Sequence, residues 1–214
     1  MSQPSQNVVR TSAAGVVVAC FLWCSGCNTH SATPPPSQNS SATDNPYDSV
    51  GLIDLGGRPV ELPKASRGRN CVAVFTRTDC PVSNRVAPAV RELCQTYANQ
   101  DVDFYLVYED PRETVEVIRA HLKEYEYNCP ALRDTQHSLA NATEATVTPE
   151  AVVFNKKGTV VYRGRINDQF EDFDKMRESP TKHDLKDAIT ATLAEQPVAV
   201  PVTKAVGCYI SDLK

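Results

Sequence analysis

The chain has 214 residues, with 22 basic and 26 acidic side chains and a net charge of -4. No basic cluster stands out, which excludes the electrostatic footprint of a nucleic-acid binder. His121, His137 and His183 have no metal-ligand spacing with any cysteine, so they read as surface residues, and neither a metal nor a cofactor is expected.

At the front, Arg10 precedes a small apolar stretch, residues 13–23, of signal-peptide length and too short to span a bilayer securely. It ends at Cys24 and Cys27, and the Gly-Cys pair followed by a polar stretch resembles the processing site of a bacterial lipoprotein, with Cys27 taking the lipid. The run ending at Cys20 is a competing fit. The expected division is a signal peptide over 1–27, a disordered Ser/Pro-rich tether over 28–47, a folded domain over 48–196 and a tail over 197–214 that carries Cys208. The domain is then held at a membrane surface by its N-terminal lipid; plain secretion and an uncleaved anchor are the alternatives, and in each case it sits outside the cytoplasm. Such a chain keeps Cys71, Cys80, Cys94, Cys129 and Cys208. An odd count in an oxidising compartment leaves at least one thiol unpaired unless chains cross-link.

Within the domain, LIDLGGRPVEL (52–62) predicts a hairpin around its Gly-Gly turn. CVAVFT (71–76) is a continuous apolar, β-branched run, the pattern of a strand buried on both faces. Val82, Val86, Val90, Leu93 and Tyr97 recur at helical spacing, and VDFYLVY (102–108) predicts a second buried strand. Val115, Ile118, Leu122 and Tyr125 set a helix opened by Asp110 and Pro111. A short strand at 131–134, a short helix at 138–144 and two strands around Asn155-Lys156-Lys157-Gly158 follow. Thr181 with Asp184 predicts the cap of a last helix carrying Leu185, Ile189 and Leu193. This alternation implies an α/β fold, with a central mixed sheet and helices on both faces. Ligands in such sheets bind where strands end and helices begin, and Cys80 is at that end.

A thiol at a helix N-terminus faces unpaired N–H groups and the positive end of the helix dipole, both of which favour the thiolate. Pro81 suits the first turn, Ser83 is placed to donate to the sulfur, and Asp79 acts against ionisation while Arg77 and Arg85 offset it. The sulfur is expected to be exposed. CPVSNRVAP (80–88) resembles the active-site helix of the thioredoxin superfamily, and Thr148-Pro149 is similar to the cis-proline that lies against the sulfur in that fold. The extra helix-strand unit at 111–134 and the hairpin lead-in resemble the redoxin branch, the alkyl hydroperoxide reductase and thiol-specific antioxidant family with its membrane-anchored thioredoxin-like relatives. The resemblance implies a thioredoxin-like fold, with Cys80, Ser83, Thr148 and Pro149 as the active site and Asp79, Pro81 and Arg85 supporting the helix start. The sequence departs from relatives at several positions. Ser83 stands where a dithiol has its second cysteine, Arg77 and Ala73 replace the Thr or Ser and the Pro of typical peroxiredoxins, and Asn84 replaces a copper chaperone's second cysteine.

Cys94, fourteen residues on from Cys80 along one helix, lies far out of its reach and reads with Cys71 as core filler. Cys129 starts its strand at the wrong end and reads as structural; Cys208 is the possible resolving partner. Arg163 and Arg165 read as solvated strand residues. The functional expectation is an extracytoplasmic thiol oxidoreductase in which Cys80 attacks a disulfide or a peroxide, its partner being a thiol protein or a peroxide. The alternative is a thioredoxin-fold module that binds partners without turnover.

Overall fold

β1 (Leu52–Asp54) and β2 (Pro59–Val60) form the lead-in hairpin, with Leu52 opposite Val60. This is a computed structural model, and it describes residue 47, residues 50–66 and residues 68–210. The leader with Cys20, Cys24 and Cys27, and nearly all of the tether, lie outside the described residues. β3 (Asn70–Thr76) and β4 (Val102–Tyr108) run parallel, joined by α1 (Pro81–Tyr97). After α2 (Val115–Glu124), β5 (Ala131–Arg133) adds beside β4 in parallel. α3 (Ser138–Thr143), the two-residue β6 (Val147–Thr148), β7 (Glu150–Phe154) and β8 (Val160–Gly164) come next. A small hairpin, β9 (Phe170–Asp172) with β10 (Lys175–Met176), leads to α4 (Asp184–Leu193), and β11 (Cys208–Tyr209) ends the described chain.

The main sheet has seven strands in the order β2-β1-β5-β4-β3-β7-β8 and is mixed as expected, since β7 runs antiparallel to β3. Strand alternation divides the core. Val72, Val74, Leu106 and Val153 face α1, α2 and α4, while Cys71, Ala73, Phe75, Val107 and Val152 face α3 and the lead-in. Helices therefore cover both faces, and burial of these side chains at about 25 cal/mol per Å² dominates the stability. Among the described residues no helix is long and apolar enough to cross a membrane.

Several expectations are corrected. The cap of α2 is Thr114, whose hydroxyl accepts from the Val117 N–H, rather than Asp110 and Pro111. Asp110 instead chelates Arg112 through its side chain and main-chain N–H. Thr181 does not cap α4, because its N–H and hydroxyl both donate to Asp168 at 2.7 and 2.6 Å. Cys94 is not filler but is disulfide-bonded to Cys129 across 6.0 Å between Cα atoms, pinning α1 to the start of β5. Cys71 is filler, and burial pushes its thiol up to about 12. His121 and His137 are buried rather than at the surface. His121 bridges Tyr108 Oη at 2.8 Å and Asn84 Oδ1 at 2.9 Å, while His137 Nε2 donates to the Glu109 carbonyl at 3.1 Å.

The carboxyl ends of β3 and β4 gather buried charge. Arg77 contacts Asp79 at 3.1 Å, Glu109 at 3.6 Å and Asp110 at 3.1 Å. Both Glu109 carboxylate oxygens are buried without a hydrogen bond. Burial, reinforced by Asp110, Glu113 and Asp134 against the pull of Arg77, pushes Glu109 up to about 8.

Two predictions follow from these contacts. Replacing both Cys94 and Cys129 with Ala removes a cross-link over 35 residues and is expected to cost about 2–4 kcal/mol in urea unfolding. For Glu109 the folded state favours the protonated form, so its contribution is present below the ordinary carboxylate range and is lost as pH rises through about 8. Glu109→Gln should therefore stabilise the protein increasingly between about pH 5 and about pH 9, reaching on the order of a few kcal/mol. A pH-independent difference in unfolding midpoint would contradict this.

Candidate active site

Cys80 is the N-cap of α1, with extended backbone angles of φ -82° and ψ 113°, and the Ser83 N–H donates back to its sulfur at 3.5 Å. A cysteine here takes the place of the usual Ser or Asp, so the sulfur receives a donor that the helix cannot otherwise satisfy. Pro81 occupies the first helical position, where its missing N–H leaves nothing unpaired. The loop ahead of it is held from two sides. Glu113 accepts from the Thr78 N–H at 2.6 Å, and Asn84 Nδ2 donates to the Thr78 carbonyl at 3.0 Å. Asn84 is in turn fixed by His121.

The second half of the site comes from β6. Cys71–Phe75 of β3 pairs with β7 in a register that sets Phe75 opposite Glu150, so the end of β3 and the start of β7 lie side by side. The Thr148-Pro149 peptide between β6 and β7 is cis, and the Cys80 thiol donates to the Thr148 carbonyl at 3.0 Å. Glu150 accepts from the Thr146 and Val147 N–H groups at 2.8 and 3.4 Å and thereby shapes this corner.

The third part comes from the end of the chain. β11 pairs antiparallel with β6, setting Cys208 directly opposite Thr148. Cys208 thus lies beside the same carbonyl that the Cys80 thiol contacts. Burial raises the Cys80 pKa, but the Cys208 thiol, the Ser83 hydroxyl and the Ser83 and Cys208 main-chain N–H groups outweigh it, leaving Cys80 below the ordinary thiol value. The Ser83 hydroxyl acts by proximity, since its buried oxygen lacks the alignment of a full hydrogen bond. Cys208 moves the other way, pushed up to about 12 by burial and by the neighbouring Cys80. The two sulfurs are thus shifted in opposite directions, Cys80 toward ionisation and Cys208 away from it.

Cys80, Ser83, Thr148, Pro149 and Cys208 converge, and Pro81 supports the helix start. Asp79 is exposed and tied to Arg77 at 3.1 Å, where its charge acts on Cys208, while Arg85 is exposed and takes no part in these ion pairs. The expectation of an exposed sulfur is corrected, because Cys80 has 0% relative exposure. Arg163 and Arg165 are not simply solvated: Arg163 binds Glu144 at 2.7 Å, and Arg165 binds Asp184 at 2.8 Å. Sequence reasoning missed Glu150, Glu109 and the two short strands β6 and β11. Only the position of the acids just beyond, or beginning, apolar strands hinted at the first two. A cleft of about 450 Å³ lies at the opposite end of β3, by Asn70, Lys156 and Glu195, far from the sulfur. A slot of about 10 Å³ lined by Val82, Val86, Pro149 and Val206 lies by the cis-proline.

No curated protein sequence is significantly similar to this chain. Among solved structures, hypothetical protein SMc02350 from Sinorhizobium meliloti 1021 is 27% identical with a TM-score of 0.65, over 75% of this chain and 88% of that one. An uncharacterized conserved protein from Geobacillus kaustophilus is 24% identical with a TM-score of 0.64, over 75% and 86% of the two chains. The structure of MTB dsbF in mixed oxidized and reduced forms shares the thioredoxin-like fold at 18% identity and a TM-score of 0.51, over 69% and 97%. The AhpC/TSA family model matches residues 44–163, more than half of the sequence and the whole of the β3–α1 junction and the cis-proline corner, so this chain belongs to the AhpC/TSA family.

Proposed function

We propose that the protein is a thiol-disulfide oxidoreductase in which Cys80 is the nucleophile and Cys208 the resolving thiol. The observation that carries this reading is the placement of Cys208 opposite Thr148, whose carbonyl is 3.0 Å from the Cys80 sulfur. The Cys80 thiolate attacks one sulfur of a substrate disulfide, that S–S bond breaks, and the other substrate sulfur leaves as a thiolate. Cys208 then loses its proton to solvent and attacks the Cys80 sulfur. The second substrate thiolate departs, leaving a Cys80–Cys208 disulfide, so two electrons pass from the cysteine pair to the substrate.

Arg77 bears on the choice between disulfide and peroxide. Its guanidinium is engaged by Asp79, Glu109 and Asp110, so it is not a free cation for the oxygens of a peroxide. Ser83 and the helix N-terminus hold the thiolate, and Thr148 and Pro149 shape the surface that the substrate meets. The Cys94–Cys129 disulfide supports an oxidising, extracytoplasmic setting. The leader reading, with a lipid on Cys27, agrees with that setting and adds anchorage to a membrane surface. The complete burial of Cys80 favours the second reading, a binding module without turnover.

Turnover separates the two readings. Cys80→Ser is expected to abolish reduction of a dithiol-accessible disulfide, and Cys208→Ser to arrest the reaction at a mixed disulfide on Cys80 visible by intact-mass analysis. Equal turnover by the parent and Cys80→Ser chains would leave the binding module standing. Ultraviolet titration of the thiolate supplies a pH test. The lowered Cys80 pKa means that a thiolate persists to lower pH than in an ordinary cysteine. The signal should vanish in Cys80→Ser and move to higher pH in Cys208→Ala, which lacks the side-chain donor to the sulfur.

A further inference from the structure

The end of the chain is gripped unevenly. Near Pro201–Thr203 it is clamped: Arg163 N–H donates to the Pro201 carbonyl at 2.9 Å, Thr203 N–H to the Arg163 carbonyl at 3.0 Å, and the Thr203 hydroxyl meets Tyr162 Oη at 2.7 Å. A side chain at Gly164 would strike Thr203, its Cβ falling 2.1 Å from the hydroxyl oxygen, so the two backbones are in direct contact. Beyond Thr203 the hold is thin. Among the described residues it consists of the two-residue pairing of β11 with β6, the Thr148 hydroxyl donating to the Cys208 carbonyl at 3.5 Å, an Ile210 N–H donating to the Thr146 carbonyl at 3.0 Å, and the burial of Ile210 among the residues facing α3. Two-residue ladders are marginal by themselves.

The side-chain pattern of this segment is a recognition template. At Gly207 any Cβ would lie 2.0 Å from the Thr148 carbonyl oxygen and 3.1 Å from Pro149 Cδ, so the position before the cysteine admits no side chain. Cys208 stands opposite Thr148, whose carbonyl the Cys80 sulfur contacts at 3.0 Å. Tyr209 is 80% exposed, so its position is unselective, and Ile210 is 4% exposed, so its position selects an apolar side chain.

We propose that residues 206–210 are a built-in occupant of a polypeptide-binding edge, and that the partner is an extended segment with the pattern Gly-Cys-any residue-aliphatic, which replaces them along β6. This rests on the reading of Cys80 as nucleophile and names the substrate that the site accepts. The outgoing segment uncovers Cys80, the incoming cysteine, supplied as a disulfide, forms the mixed disulfide already described, and the returning tail brings Cys208 back to resolve it. The covered sulfur and the short, weakly held strand are then two aspects of one exchange.

The test uses the full chain. Gly207→Ala should evict the segment, so Cys80 is expected to react with iodoacetamide about tenfold faster or more, while the unfolding midpoint and the protection of Cys71 stay at parent values. An unchanged Cys80 labelling rate in a folded variant overturns the proposal. A second measurement covers the case in which that variant misfolds. On Cys208→Ser, the peptides Val-Gly-Cys-Tyr-Ile and Val-Ala-Cys-Tyr-Ile, each as a mixed disulfide with thionitrobenzoate, are compared by transfer of the peptide to Cys80. The glycine peptide should transfer about tenfold faster, and equal rates overturn the inference while leaving Cys80 as nucleophile. Failure of Cys80 to form a mixed disulfide with either peptide in either variant defeats both this inference and the thiol-exchange reading.

Discussion

The contact of the Cys80 sulfur with the Thr148 carbonyl at 3.0 Å joins the parts of the molecule on which everything else depends. It exists because β3 and β7 pair in a register that ends one strand where the other begins. It also sets up opposing influences on one proton. The carbonyl accepts from the thiol and favours the neutral form, whereas the Ser83 N–H at 3.5 Å and the Cys208 donors favour the anion. In the proposed function this sulfur attacks as thiolate and is later attacked in a disulfide, and its surroundings meet both charge states. The same carbonyl faces Cys208 across β6 and β11, so the second sulfur is positioned by the first one's partner.

Behind the sulfur, charge holds the scaffold. Arg77 gathers three carboxylates, Glu113 fixes Thr78, and Asn84 and His121 tie the opening of α1 to α2 and β4. Glu109, with both oxygens buried and without a hydrogen bond, makes this network sensitive to pH without touching the sulfur. Stability and reactivity therefore respond to pH in opposite ways. Raising the pH ionises a buried carboxyl that the fold prefers neutral, and it also fills the thiolate population that the proposed chemistry needs.

The long elements were legible because their periodicity is strong. The continuous apolar runs of β3 and β4 and the helical spacing from Val82 to Tyr97 correspond to one buried strand pair and one amphipathic helix. Cys80 was legible because it belongs to a local pattern with a mechanical meaning, a strand-to-helix corner, and Pro149 because Thr148-Pro149 resembles the cis-proline of the thioredoxin fold. What was not legible depends on distance in space. Cys94 and Cys129 are 35 residues apart, and nothing local in either neighbourhood marks the other. β6 and β11 have two residues each, too few to display a period, and they exist only because the tail returns to the corner. Thr181 matched a capping pattern, yet Asp168 captured its hydroxyl, a tertiary contact that overrides local preference.

The buried sulfur is the sharpest departure from expectation, and the energetics of its cover decide what it means. A core position would be enclosed by hydrocarbon from several strands and helices, opening only at a cost near the global stability of about 5–15 kcal/mol. The cover here is instead a short segment, half-exposed over 205–208, whose one deeply buried side chain among the described residues is Ile210. Burying one such side chain contributes about 1.5–3 kcal/mol, so the cover opens far more readily than the sheet beneath it. Burial of this kind regulates access and leaves the chemistry intact. Under the proposed exchange, a thiolate shielded until its partner strand arrives is protected from irreversible oxidation in the interval, and the residue that shields it is the one that completes the exchange.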